Sequence, residues 1–228
     1  MVNPSKKSPR SRTVITPSGG IVRGKFPSRK AARMIHHEGL LELEACFLFE
    51  MSPHVISYRE QPFRLQYADD ARLRSYTPDF ELTLDTGDTV LVEIKPAAIL
   101  ARPENRQKYD QIASHMQRNG QRFSILTDEF IRIEPRLSNL RRAYRDLAAH
   151  RPSSERLRSL LPNLAVLQSP SIHEVNTILR PYGVSAFDLL ASGHLTCDLA
   201  QPLNFSTPVS INAESDHEWI QLSKKLAL

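Results

Sequence analysis

Two acidic residues and a lysine occur in an order that suits metal-assisted hydrolysis of a phosphodiester. Asp79 follows Pro78, Glu93 comes fourteen residues later, and Lys95 stands two residues beyond it. Magnesium prefers oxygen ligands and needs only one or two carboxylates when water and substrate phosphate complete its shell. Such an ion polarises a phosphoryl oxygen, and a neighbouring lysine stabilises the negative charge that develops. The three side chains therefore predict a phosphodiester hydrolase that uses Mg²⁺, for which Mn²⁺ substitutes.

A β-hairpin is predicted to bring these side chains to one end of a sheet. Residues 80–84 alternate apolar and polar like a half-buried strand, and residues 89–95 are rich in β-branched side chains. Between them, Gly87 supplies the positive φ that a tight turn needs. Residues two apart in a strand face the same side, so the Glu-x-Lys pair points into one cleft, and strand pairing brings Asp79 to the same end. The alternative is a surface hairpin with a solvated Glu–Lys pair.

The elements around the hairpin predict an α/β fold. A helix with an apolar face is expected over residues 42–51, followed by strands over 54–62 and 63–67. After the hairpin, the pattern favours a helix over 106–116 and a last strand over 121–127. The order of helix, strand, strand, Pro-Asp strand and Glu-x-Lys strand is that of a restriction-endonuclease-like PD-(D/E)xK core.

Several short motifs in this region, with their order and spacing, resemble the TnsA family. This family is the endonuclease subunit of heteromeric transposases, including CRISPR-associated and related ones. The resemblance covers roughly residues 20–100, and its motifs lie at residues 26–30, 39–42, 50–53, 60–62, 76–80 and 93–96. It implies a metal-dependent DNA endonuclease that cuts one strand, on the 5′ side, at the transposon ends. It further implies a DDE-type transposase that cuts the other strand, and an AAA+ regulator ATPase, as partners.

The same resemblance implies roles for individual residues. The implied catalytic residues are Glu42, Gln61, Asp79, Glu93 and Lys95. The implied metal ligands are the carboxylates among them and the carbonyl of Ile94. Glu44 competes with Glu42 for the role of helix carboxylate. We prefer Glu42, because its eight-residue spacing to Glu50 matches the family register, and we expect Glu44 to lie on a solvated helix face.

Positive charge is concentrated at the start of the chain. The net charge of the 228 residues is +5, and the first thirty residues contain eight Lys or Arg and no Asp or Glu. Basic clusters gain affinity for DNA by releasing its counterions. We interpret residues 1–20 as a disordered basic arm, whose alternative role is only to solubilise the chain. The predicted DNA-binding residues follow it: Arg23, Lys25, Arg29 and Lys30.

The sequence predicts two domains after the arm, a nuclease domain over residues 21–150 and a C-terminal domain over residues 151–228. Pro152 and the serines after it mark the boundary. Ser171 and Glu174 form a capping box that starts a helix, and a second short helix is expected over 184–191. Segments 194–199 and 207–211 read as the two strands of a wing. Helices followed by a hairpin favour a winged-helix-like domain. The resemblance to the TnsA family implies that this domain binds DNA or a protein partner.

Other classes of protein fit the composition less well. The chain lacks a long apolar span, a signal-peptide pattern, a zinc-ligand spacing and a glycine-rich phosphate loop, so we expect a protein of the bacterial cytoplasm with no membrane partner. Three functions remain open at this point. They are an endonuclease within a transposase, a stand-alone nuclease of the same fold (a resolvase or restriction enzyme), and a catalytically idle DNA-binding scaffold.

Overall fold

The computed structural model describes residues 22–69 and 72–212. The predicted arm, residues 1–20, and the last part of the predicted C-terminal domain lie outside the described residues. In chain order the elements are β1 (Gly24–Ser28), β2 (Arg33–His37), α1 (Leu40–Met51), β3 (Val55–Glu60), β4 (Leu65–Asp69), β5 (Arg72–Tyr76), β6 (Phe80–Leu84), β7 (Thr89–Ile94), α2 (Ala97–Leu100), α3 (Pro103–Arg118), β8 (Arg122–Leu126), α4 (Asp128–Ile131), α5 (Arg136–Arg145), α6 (Ser154–Leu160), α7 (Ile172–Leu179), α8 (Ala186–Ala191), β9 (Leu195–Thr196) and β10 (Ser210–Ile211). The fold is mixed α/β.

A four-stranded mixed sheet in the order β3-β6-β7-β8 forms the centre. The predicted hairpin is confirmed: β6 and β7 pair antiparallel with Phe80 opposite Val92, and Gly87 has a φ of 87° in the turn. Strand β3 pairs antiparallel with β6, and β8 runs parallel to β7. One residue beyond the Phe80–Val92 pair, the same register sets Asp79 beside Glu93, at the end of the sheet where the candidate site lies.

Strand alternation gives the sheet two different faces. On one face, Phe80, Leu82, Val90 and Val92 join a large apolar cluster that includes α1. On the other face, Leu91 packs with side chains of β4, β5 and α3, and this second cluster consists of Tyr67, Tyr76, Leu91, Tyr109, Ile112 and Met116. Since Glu93 follows Leu91 by two residues, it faces the second cluster, near the end of β7.

Two hairpins flank the sheet, and of their four strands only β4 was predicted. Strands β1 and β2 pair antiparallel in the segment that precedes α1, and β4 pairs with β5 in a separate two-stranded ribbon. In the first hairpin Gly24 lies against His37, and a Cβ at position 24 would stand 2.5 Å from Nε2 of that ring. The ring of His37 is buried in this hairpin.

Helix bounds agree with the predictions to within a few residues. The predicted helix 42–51 begins at Leu40, and helix 106–116 extends over Pro103–Arg118, because proline suits the first turn of a helix. The capping box of Ser171 and Glu174 is present, so the helix that it starts is confirmed. Among the residues that the structure describes, no helix is long and apolar enough to cross a membrane.

The C-terminal segment packs against the first part of the chain. The predicted wing strands are reduced to two paired residues each, in β9 and β10. The side chain of Asn139, on α5, donates to the carbonyls of Leu199 and Gln201 and accepts from the amide of Leu203. Apolar side chains from both sides of Pro152 share the large cluster. The domain boundary at residue 151 stays a prediction.

Candidate active site

Asp79 is fixed at the mouth of the hairpin by backbone hydrogen bonds. Its Oδ2 accepts from the amide of Ile94 at 2.7 Å, and its carbonyl accepts from the amide of Gln61 at 2.9 Å. Gln61 has a φ of 44°, which turns the chain sharply after β3. These two contacts join the ends of β3, β6 and β7, so the predicted residues Gln61, Asp79 and Ile94 do lie together.

Glu93 lies beside Asp79 and is 3% exposed. Tyr76 donates its hydroxyl to Oε2 at 2.6 Å, and Tyr109 donates to Oε1 at 2.6 Å. Nζ of Lys95 stands 3.1 Å from Oε1, which confirms that the glutamate and the lysine face the same side. The Lys95 side chain is about one-third exposed, so the ammonium is open to solvent and to a ligand.

Glu42 enters the site from the first turn of α1. Its Oε2 accepts from the amide of Glu38 at 2.8 Å. Burial raises the pKa of Glu42 to about 7, and the negative charges of Glu38 and Glu93 add to this rise, while Lys95 opposes it. The helix carboxylate therefore lies within electrostatic reach of the hairpin carboxylates.

The pKa values of Asp79 and Lys95 are also shifted. Burial raises the pKa of Asp79 well above its usual range, and the charges of Glu93 and Glu42 raise it further. Burial alone would lower the pKa of Lys95, but the carboxylates of Glu93 and Asp79 outweigh that effect and the pKa is raised. The charges of Glu42, Asp79, Glu93 and Lys95 thus influence one another, and Lys95 is in direct contact with Glu93.

The donor set of this cluster fits a divalent cation. Carboxylate oxygens are the ligands that Mg²⁺ prefers, and a cation would offset the burial and the neighbouring negative charges that raise the pKa of Glu42 and of Asp79. Within residues 22–69 and 72–212, no group of three His, Cys, Asp or Glu side chains is already arranged around one point to hold a metal. Magnesium does not require three, because water and phosphate complete its shell.

One known protein family is similar to the part of the chain that contains the hairpin. Residues 52–128 match the model of a family described as TnsA-like endonuclease N terminal. This part of the chain is TnsA-like, and the predicted resemblance to the TnsA family is confirmed there. No curated protein matches the chain. The TnsA-like segment contains Gln61, Asp79, Glu93 and Lys95, whereas Glu42 precedes it.

The structure separates the two glutamates that compete for the role of helix carboxylate. The charges of Glu93 and Lys95 act on Glu42, whose Oε2 accepts from the amide of Glu38. Glu44 is buried, and its two oxygens accept from Arg132 and Arg141, each at 2.7 Å. The expectation that Glu44 lies on a solvated helix face is wrong, because these arginines are distant in sequence and their approach leaves no trace in the local pattern.

The four predicted DNA-binding residues lie in different environments. Lys25 is exposed and Arg23 half-buried on the β1–β2 hairpin. Both terminal nitrogens of Arg29 donate to Asp188 at 3.1 Å. Nζ of Lys30 donates to the carbonyl of Phe49 at 2.9 Å and to that of Ser52, and burial lowers its pKa to about 7. Arg29 and Lys30 thus have partners inside the protein, and DNA contact by the set stays a prediction.

Sequence reasoning assigned no function to the two tyrosines at Glu93. Tyr76 begins the motif at residues 76–80, so the sequence shows that it lies next to the site, but it does not show that its hydroxyl binds Glu93. Tyr109 was read only as part of a helix that covers the sheet. A buried tyrosine usually finds a hydrogen-bond partner for its hydroxyl. From the sequence, this rule indicates that each tyrosine has a partner, but it does not identify Glu93 as that partner. Glu38 is a third residue at the site to which sequence reasoning assigned no role. Its Oε1 accepts from Nε2 of Gln61 at 3.2 Å.

Proposed function

We propose that this protein is a metal-dependent DNA endonuclease subunit of a transposase. It cuts one strand, on the 5′ side, at the transposon ends, next to a DDE-type transposase that cuts the other. Its core is of the restriction-endonuclease-like PD-(D/E)xK type. The observation that supports the proposal is the approach of Asp79, Glu93 and Lys95 at one end of a β-hairpin in the TnsA-like segment, with Glu42 near enough for their charges to act on it.

The chemistry follows from the residue types. Asp79 and Glu93 would hold Mg²⁺, or Mn²⁺ in its place, with Glu42 and the carbonyl of Ile94 as further ligands. A bound ion supplies Lewis-acid polarisation of the phosphoryl oxygen and a more acidic water. Lys95 keeps its positive charge at neutral pH, because the carboxylates raise its pKa. It is suited to stabilise negative charge at the phosphorus, a contribution worth roughly two to three powers of ten in rate.

The hydrogen bonds at the site favour a fixed arrangement. Asp79 is held by an amide of the neighbouring strand, and Glu93 by two hydroxyls and an ammonium. Preorganised groups contribute more to catalysis than mobile ones, because they need no reorganisation during the reaction. This arrangement argues against an idle scaffold, which has no chemical need for two fixed acidic residues and a lysine at one end of a hairpin.

The C-terminal segment is proposed to connect the nuclease to its partners. We infer a winged-helix-like arrangement from α7, α8 and the short β9–β10 pair. An AAA+ regulator ATPase is the partner that we favour for it, with DNA as the alternative ligand. Genes for a DDE-type transposase and an AAA+ ATPase beside the gene of this protein would support the assignment.

Strand-specific cleavage by the reconstituted complex tests the proposal. The substrate is a duplex that carries the transposon end found beside the gene, with each strand labelled in turn. Asp79→Ala should abolish the cut made by this subunit in Mg²⁺, and the cut in the other strand should persist. Asp88→Ala is the matched control, because Asp88 is exposed in the turn at the opposite end of the same hairpin, where it pairs with Arg122.

The outcomes separate the candidate functions. Loss of one cut in Asp79→Ala, with normal cutting by Asp88→Ala, is the expected result. Unchanged nicking by Asp79→Ala would overturn the assignment of the site. Full cleavage by the protein without any partner would favour the stand-alone nuclease instead.

A further inference from the structure

The two oxygens of the Glu93 carboxylate have different hydrogen-bond partners. Oε1 is 2.6 Å from the hydroxyl of Tyr109 and 3.1 Å from Nζ of Lys95, whereas Oε2 is 2.6 Å from the hydroxyl of Tyr76. Each carboxylate oxygen offers two lone pairs. Two donors occupy those of Oε1, and among the described residues a single donor approaches Oε2. Oε2 therefore retains the capacity to bind one more electrophile.

The two tyrosine rings are fixed from behind. Tyr76 ends β5 and Tyr109 lies on α3, and both rings are buried in the second cluster with Leu91, Ile112 and Met116. The ring of Tyr76 also packs edge-on against Phe123, with a centroid distance of 6.2 Å. Each hydroxyl can move away from Glu93 only if its buried ring shifts within this cluster. The packing of β4, β5 and α3 thus restrains the donors of a single carboxylate.

We propose that Tyr76 and Tyr109 are positioning residues for the metal site, which orient Glu93 so that Oε2 is the oxygen presented to a divalent cation. The proposal rests on the function proposed above. Partners that hydrogen-bond to a ligating carboxylate fix its orientation, and their loss typically weakens metal binding about 10- to 100-fold. A tyrosine that served only to fill the core would transmit no such effect when it is replaced by phenylalanine, because the ring stays in place.

Manganese binding to the full-length protein tests the inference without the need for DNA or partners. The variants are Tyr76→Phe, Tyr109→Phe and the double variant, each measured by isothermal titration with MnCl₂ and by urea unfolding. Tyr58→Phe is the matched control. The hydroxyl of Tyr58 also donates to a buried glutamate, Oε1 of Glu50 at 3.0 Å, but its ring lies in the large apolar cluster.

Each single variant at the site should bind Mn²⁺ about 10- to 100-fold more weakly than the wild type, and the double variant more weakly still. Tyr58→Phe should bind with wild-type affinity even if it unfolds at a lower urea concentration. Wild-type affinity in both Tyr76→Phe and Tyr109→Phe would overturn the inference and leave the proposed function standing. A wild-type protein that binds no Mn²⁺, or binds it as well after Asp79→Ala, would overturn the proposed function and the inference with it.

Discussion

Replacing Glu42 by glutamine should stabilise the metal-free protein. Burial and two neighbouring carboxylates raise the pKa of Glu42 from an ordinary value of 4.5 to about 7. When the folded state raises the pKa of a carboxyl group, protonation of that group favours folding. This stabilisation is fully present below the pKa of the unfolded chain, and it is lost as the pH rises through the pKa of the folded protein. Above pH 7 the ionised side chain therefore costs about 3 kcal/mol relative to the unfolded chain.

Glutamine removes this cost and keeps the local hydrogen bond. Its side-chain oxygen can accept from the amide of Glu38 as the carboxylate does at 2.8 Å. At pH 8 in EDTA, Glu42→Gln should be more stable than the wild type by up to about 3 kcal/mol. At pH 4.5 the difference should shrink to about 0.5 kcal/mol, since Glu42 is then protonated in the folded wild type.

Urea unfolding followed by circular dichroism measures both values. Glu44→Gln is the matched control on the same helix. It should be less stable than the wild type by about 1 kcal/mol or more, because it removes the charge that pairs with Arg132 and Arg141. Saturating Mn²⁺ should stabilise the wild type more than Glu42→Gln. Equal stability of Glu42→Gln and wild type at pH 8, or a difference that does not change with pH, would refute the reasoning.

Three further predictions follow from contacts of the described residues. Lys95→Ala should lower the rate of cleavage about 100- to 1,000-fold and leave DNA affinity in filter binding nearly unchanged, because most of that affinity comes from other phosphate contacts. Lys25→Ala should weaken DNA binding and reduce the slope of the logarithm of the binding constant against the logarithm of salt concentration by about one. Lys30→Ala should instead lower the urea midpoint of unfolding, because the Lys30 ammonium binds carbonyls at the end of α1. Asp188→Ala should destabilise the protein to urea by about 1–3 kcal/mol, since it unpairs Arg29 and breaks the capping box of α8. Unchanged urea midpoints in Lys30→Ala and Asp188→Ala would show that these contacts add nothing to stability.

Local patterns were enough to predict the hairpin that carries the site. The alternation over residues 80–84, the turn glycine at 87 and the pairing register bring Asp79 next to Glu93, and these are features of neighbouring residues. The capping box at Ser171 was predictable for the same reason, because both of its partners lie within one helical turn.

Features that depend on distant contacts were not predictable. In the β4–β5 ribbon the sequence predicted the first strand but not the second. The second strand, Arg72–Tyr76, is mostly exposed and lacks an apolar pattern. The partners of Glu44 are Arg132, which directly follows α4, and Arg141 on α5, and the second hydroxyl at Glu93 comes from α3. Such pairs form only when helices pack, and no spacing within either segment specifies them.

The location of a bound metal tests the central claim most directly. Crystals of the protein grown with Mn²⁺ and measured at the manganese absorption edge report the position of the ion without any assumption about substrate or partners. The account predicts an anomalous peak within bonding distance of carboxylate oxygens of Asp79 and Glu93, and the loss of that peak in Asp79→Ala. An ordered manganese site elsewhere, with none at these two residues, would contradict it.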